Sequence, residues 1–243
     1  MRALMILAAM PLVACSFHGG GDNDSQPGVP ASGQGTLRTF QVAGFNAVDL
    51  RGSDNADVRV GPDFSVRAEG PSDRLDDLKI VKDGDVLKIS RKSNHMSWGG
   101  GRDVKVFVTM PAIRAASISG SGDMAVDRVE GGAFEGSTAG SGDLSIHQIK
   151  AGSVTLSIAG SGDIDASGAT QDLSLSIAGS GNIDAGGLTA SAGKVSIAGS
   201  GDAKAVVNGH AKVSMMGSGD VDLGGNATCD VSKMGSGEVR CGH

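Results

Sequence analysis

The tetrapeptide Gly-Ser-Gly-Asp, or a near copy, begins at Gly120, Gly140, Gly160, Gly179, Gly199, Gly217 and Gly235, in steps of 20, 20, 19, 20, 18 and 18 residues. So short a unit cannot bury an apolar face of its own and must stack on its neighbours, which leaves few architectures open. Around each copy the residues alternate. Leu156, Ile158, Ile164 and Ala166 share one parity about Gly160, while Ser157, Ala159, Asp163 and Asp165 share the other. A period of two is a strand.

Aligned copies give columns of one character. Two before the first glycine stand Ile118, Thr138, Ile158, Ile177, Ile197, Met215 and Lys233. Four before it stand Ala116, Gly136, Leu156, Leu175, Val195, Val213 and Val231, and four after it Met124, Leu144, Ile164, Ile183, Ala203, Val221 and Val239. All three columns share a parity, so they line one lumen. With no helical pattern between them, the prediction is an all-β right-handed parallel β-helix with coils of 18 to 20 residues, regular over 111–243.

Both glycines of the motif fall on the inward parity, where a Cβ would crowd the next coil, and so mark a corner. The fourth position carries Asp123, Asp143, Asp163, Asn182, Asp202, Asp220 and Glu238. An acidic residue that recurs in every coil is best explained by what every coil needs, an Asx-type hydrogen bond to corner N–H groups. Catalytic sites break a repeat by setting unlike acids and bases side by side, and no catalytic residue is assigned. Right-handed β-helices also carry polysaccharide lyases and hydrolases, so a glycan-acting enzyme is the alternative by fold analogy. A sugar platform is disfavoured by the absence of Tyr and the single Trp. His147 and His210 stand at unrelated coil positions, and no Cys/His spacing points to zinc.

Three features depart from the repeat. Asp163 and Asp165 are expected to stack on Asn182 and Asp184 at about 4.8 Å, with no basic residue between them, so these four oxygen donors form a candidate weak Ca²⁺ site set against the structural ladder. No other cofactor is expected. Cys229 and Cys241 stand six residues before and six after Gly235, on the inward parity. In other coils these two positions trade size (Leu173 with Ala185, Ala211 with Leu223), so the pair faces across the lumen as a disulfide or as two buried thiols. In the segment Ser93 to Gly101, His95 and Trp98 sit among glycines, as a recognition loop or with Trp98 packed over the lumen end.

Upstream, 36–110 has strand-like runs at Ala47–Leu50, Val58–Val60, Val66–Ala68, Val86–Ile89 and Val104–Val108, a helical turn near Asp73 to Leu78, and no Gly-Ser-Gly corner. It reads as irregular first coils that cap the solenoid. Residues 15–35 are Gly, Asp, Ser, Gln and Pro with little to bury, a flexible tether. Residues 1–14 have a charged start and an apolar stretch too short to span a bilayer, a signal peptide. Leu12-Val13-Ala14-Cys15 resembles the bacterial lipobox, which implies lipidation of Cys15. Ser16, where retained lipoproteins carry Asp, favours the outer membrane. A net charge of −6 without a Lys/Arg block argues against nucleic acid as a partner.

Ala43 to Val48, together with Met110-Pro111-Ala112-Ile113 leading into Ser117 to Asp123, resembles the family described as "putative autotransporter adhesin, head GIN domain". The resemblance covers about Thr36 to the C-terminus. It implies an all-β, β-helix-like secreted or lipid-anchored protein. The residues themselves read as a lipid-anchored, non-catalytic structural or adhesin-like binding module of the cell envelope, with an unknown envelope or surface ligand, polysaccharide or protein. Only Val239 to His243 follow the last copy, so a translocator barrel and self-secretion are not expected.

Overall fold

The computed structural model describes residues 26–92 and 104–242. The signal peptide, Cys15, His95 and Trp98 lie outside the described residues.

The repeats stack in the order of the chain. Strands β9 (Ala115–Gly120), β10 (Met124–Val126), β11 (Val129–Gly140), β12 (Leu144–Gly160), β13 (Ile164–Gly179) and β14 (Ile183–Gly199) lie parallel, each coil on the one before. They are followed by β15 (Ala203–Val207), β16 (His210–Gly217), β17 (Val221–Gly224), β18 (Thr228–Gly235) and β19 (Val239–Cys241). The register sets glycine on glycine: Gly120 on Gly140, Gly140 on Gly160, Gly160 on Gly179. The result is a parallel β-solenoid of about 6 turns.

The lumen columns are buried as their parity requires, with Leu156, Leu175, Ile164 and Ile183 no more than 1% exposed. Where the lumen holds Gly136, the neighbouring Phe134 fills the space: a Cβ on Gly136 would lie 3.4 Å from the Phe134 ring and 3.0 Å from Leu156. In the last coil the columns open to solvent, with Val231 44% exposed. There the Lys233 ammonium donates to the Gly237 carbonyl at 2.7 Å.

The N-terminal part continues the stack out of sequence order. Strands β3 (Ala47–Gly52) and β4 (Asn55–Val60) form a coil directly beneath β9 and β10, with Gly52 under Gly120. This corner reads Gly52-Ser53-Asp54-Asn55, so the upstream region does contain a copy of the motif, contrary to the sequence reading, with Asp54 in place of the second glycine. Below it lie β7 (Val86–Arg91) and β8 (Lys105–Met110), still parallel. The next layer, β5 (Ser65–Glu69), α1 (Ser72–Asp76) and β6 (Leu78–Asp83), runs antiparallel to β8 and β7 and turns its corner with the short helix.

The outer edges of that layer are covered. Strand β2 (Leu37–Phe40) pairs antiparallel with β5, and β1 (Ala31–Ser32) with β2. Beside β6, the Val29 N–H donates to the Ile80 carbonyl at 2.7 Å, while Pro27 and Pro30 bring no donor. The end of the expected tether is therefore part of the cap, and its flexible character does not extend through Gln26–Gly35 as composition implied. One apolar core runs from Phe40 to Leu223 without a break.

Candidate functional site

The corners decide what the acidic column does. At the corners of Gly120, Gly140, Gly160 and Gly179 the N–H groups of the serine and the second glycine converge on one carbonyl of the coil before, as Ser161 and Gly162 do on Gly140 at 2.8 and 3.1 Å, and at the next two corners the serine N–H of Ser200 and Ser218 makes the same bond. The N–H of the next residue, Asp163, is taken by the Asp143 carboxylate at 2.9 Å. The same bond joins Asp143 to Asp123, Asn182 to Asp163, Asp202 to Asn182, Asp220 to Asp202 and Glu238 to Asp220, at 2.7 to 3.1 Å. It begins in the out-of-order coil, where Asn55 Oδ1 accepts from the Asp123 N–H at 3.0 Å. After the corner the direction reverses, and Ile164 N donates forward to the Asn182 carbonyl at 2.9 Å. The carboxylates therefore cap backbone donors, as their recurrence implied, but they do so in the following coil rather than in their own corner.

The same bonds involve the residues of the candidate cation site. Asp165 does stack on Asp184, and Lys204 follows Asp184 in the same column. Asp163 Oδ1, however, accepts both the backbone N–H and the amide Nδ2 of Asn182, at 2.7 and 3.1 Å. Asn182 Oδ1 is bound to Asp202 N–H, and Asp184 Oδ1 to Gly186 N–H at 2.9 Å. Asn182 thus presents a donor, not an oxygen, to its neighbour. Among the described residues no group of three or more His, Cys, Asp or Glu side chains is placed to hold a metal ion. Asp165 is left with the repulsion: partial burial, then Asp184, Asp163 and Asp143, push its carboxyl above the ordinary range.

Cys229 and Cys241 meet in the last coil as a disulfide with Cα atoms 6.2 Å apart, stacked on Ala211 and Leu223. His147 and His210 are exposed. Asp54 was not singled out by the sequence. It is 1% exposed, and its Oδ1 accepts from the Arg91 guanidinium and from Val104 N–H at 3.2 Å, which ties the first corner to the layer beneath. Its only sequence signal is an acid in a glycine column.

A cleft of about 710 Å³ lies where the cap meets the first regular coil, lined by residues that include Asp85, Arg114, Glu130, Gly132, Phe134 and Glu135. No helix among the described residues is long and apolar enough to cross a membrane.

A family model described as "Putative auto-transporter adhesin, head GIN domain" matches residues 44–227, from the first coil beneath the corners almost to the final disulfide. The chain belongs to this family. No curated protein matches it. Among solved structures, a Bacteroides fragilis protein described as a putative adhesin superposes with a TM-score of 0.80 at 23% identity, covering 86% of this chain and 97% of that one. A Parabacteroides distasonis protein described as a putative lipid binding protein gives 0.68 at 21% identity, covering 86% and 97%. A Parabacteroides merdae protein described as a putative adhesin gives 0.65 at 19%, covering 86% and 98%. At these identities the likeness is one of fold.

Proposed function

We propose that this head GIN protein is a lipid-anchored module of the bacterial cell envelope that binds a partner through its solenoid surface and carries out no chemistry. The observation that carries this reading is the commitment of the acidic column. From Asp123 to Asp220 each member gives a side-chain oxygen to a backbone N–H of the next coil. A general acid or base needs a carboxyl group free to exchange a proton with a substrate, and these groups are held by the fold. The descriptions of the Bacteroides and Parabacteroides structures, adhesins and a lipid-binding protein, point to binding as well.

Anchoring rests on Leu12-Val13-Ala14-Cys15. The outer membrane is the favoured location, with the solenoid joined to the lipid through the N-terminal segment that leads into the cap. The test is fractionation of cells that express the wild type or Cys15→Ser. The wild type should partition with membranes and be released only by detergent, and the variant should be soluble. Equal partitioning removes the anchor. A turnover screen of the full chain against mixed polysaccharides tests the rest, and saturable turnover would replace a binding module with a glycan-acting enzyme.

A further inference from the structure

Between β10 and the Glu135 end of β11 the coil beneath supplies no paired strand among the described residues. The coil made of β3 and β4 enters at Asn46 and leaves at Val60, so it supplies two sides only. Strand β11 pairs with β12 from Val129 to Gly140 but with β9 only from Glu135 onward. The last bond on that side is Glu135 N–H to the Arg114 carbonyl at 2.9 Å. From Val129 to Phe134 the cap-facing edge of β11 has no partner strand among the described residues, and the cleft of about 710 Å³ lies along it. Elsewhere the N-terminal edges are covered by β1, β2 and the stretch around Val29. Here one is left open.

We propose that this open edge takes an extended, basic peptide segment as an additional strand. The inference rests on the reading of the chain as a binding module and gives that module a site and a partner chemistry. Three features fit the occupant. An unpaired strand edge presents backbone donors and acceptors at alternate residues, which another strand satisfies in full. The wall is cleared: a Cβ on Gly131 or Gly132 would meet no atom within 4 Å, whereas at the corner glycine Gly140 it would meet a carbonyl oxygen at 2.2 Å. Phe134 and Ile113, 2% and 1% exposed, close the floor with apolar side chains. Charge selects the sign of the partner. Glu130, Glu135 and Asp85 line the cleft against a single cation, Arg114, which is already held by Asp85 at 3.7 Å and Asn46 Oδ1 at 3.1 Å. Lys150 stands beside Glu130 in the next coil, which leaves Glu135 as the principal uncompensated acid. An extended chain laid along the edge puts alternate side chains on the outward face, where lysine or arginine meets these carboxylates.

The probe is a fluorescein-labelled octapeptide of alternating lysine and threonine. Its controls are the glutamate-for-lysine counterpart and a version with prolines at two threonine positions, which keeps the charge and removes N–H donors. Anisotropy titrations of the full chain at about 0.15 M salt, where the Debye length is near 8 Å, suppress non-specific attraction. The lysine peptide is expected to saturate and to bind at least tenfold tighter than either control. Gly132→Trp, which grows into open space, should weaken it at least tenfold without lowering the melting temperature. Glu135→Lys, which leaves the wall clear, should weaken it by a similar factor. No saturation, equal binding of the proline peptide, or binding indifferent to both variants overturns the proposal. The titration needs neither membrane nor anchor, so its failure leaves the fractionation and turnover results standing, and theirs leave it standing.

Discussion

Replacing Gly162 by valine tests the corner geometry most directly. A Cβ there would lie 2.2 Å from the Gly142 carbonyl oxygen and 3.0 Å from its carbon, in a position that is already buried. Normal contact requires the two coils to part by about 1 Å at this point. Three hydrogen bonds hold them there: Ser161 N–H and Gly162 N–H to Gly140 O, and Asp163 N–H to the Asp143 carboxylate. At about 0.5–1.5 kcal/mol net for each bond, their loss or distortion costs about 2–4 kcal/mol, in line with an overpacked core. Urea and thermal unfolding followed by far-UV circular dichroism measure it. Two controls separate corner packing from a general intolerance of substitution. Ser161→Ala, at an exposed position, should stay within about 0.5 kcal/mol of wild type. Gly132→Ala, where a Cβ meets nothing, should be neutral or gain up to about 1 kcal/mol from a stiffer unfolded chain. A Gly162→Val protein that unfolds with the wild type refutes the reasoning, as does one no worse than Gly132→Ala.

Asp143→Ala removes the acceptor of Asp163 N–H and should cost about 1 kcal/mol in the same unfolding assay, while Asp143→Asn, the residue type that already serves at Asn182, should cost far less. In the Cys15→Ser full chain, thiol titration under denaturing, non-reducing conditions should find no free thiol, and two per chain would show Cys229 and Cys241 unpaired. For Asp165, burial followed by the charges of Asp184, Asp163 and Asp143 raises the folded-state pKa. The ionised form therefore costs stability above that raised value, and the cost is relieved as the pH falls through it toward the unfolded value. Asp165→Asn should raise the melting temperature at pH 7, and the gain should vanish below about pH 4, where both states carry the proton. A gain independent of pH would rule out charge as its cause.

The regular coils were legible because their physics is local. Parity sorts Leu156 from Ser157, fixed spacing sets Ile158 on Ile177, and a glycine pair marks a place where backbone approaches backbone. The cap was not legible, because its order in space departs from its order in the chain. The coil that carries Gly52 lies directly beneath the one that carries Gly120, with the β5 to β8 excursion between them in sequence. Its corner was masked as well, since Asp54 replaces the glycine that would have identified it. The layer from Ser65 to Asp83 runs the other way and turns through a helix, so it shares neither period nor motif with the repeats. At the candidate cation site the stacking of Asp165 on Asp184 could be read from spacing. The orientation of the oxygens could not, because it depends on which N–H groups they accept from. The cleft beside Gly132 left no trace at all, since it lies where no strand among the described residues pairs with the cap-facing edge of β11.

The carboxylate ladder has a direction, and that bears on how the protein can change length. Each coil needs one side-chain oxygen from the coil before and offers one to the coil after, so a duplicated coil brings its own acceptor and its own donor. Insertion or loss of one 18- to 20-residue unit in mid-array keeps the corner series continuous. Only the ends are fixed in kind. Among the described residues Asn55 is the first of the series and accepts through an amide oxygen, and Glu238 is the last, with its carboxylate held by the Arg240 guanidinium at 2.9 and 3.1 Å. Recombination between such arrays can therefore lengthen or shorten the shaft while the cap and the terminal disulfide stay as they are.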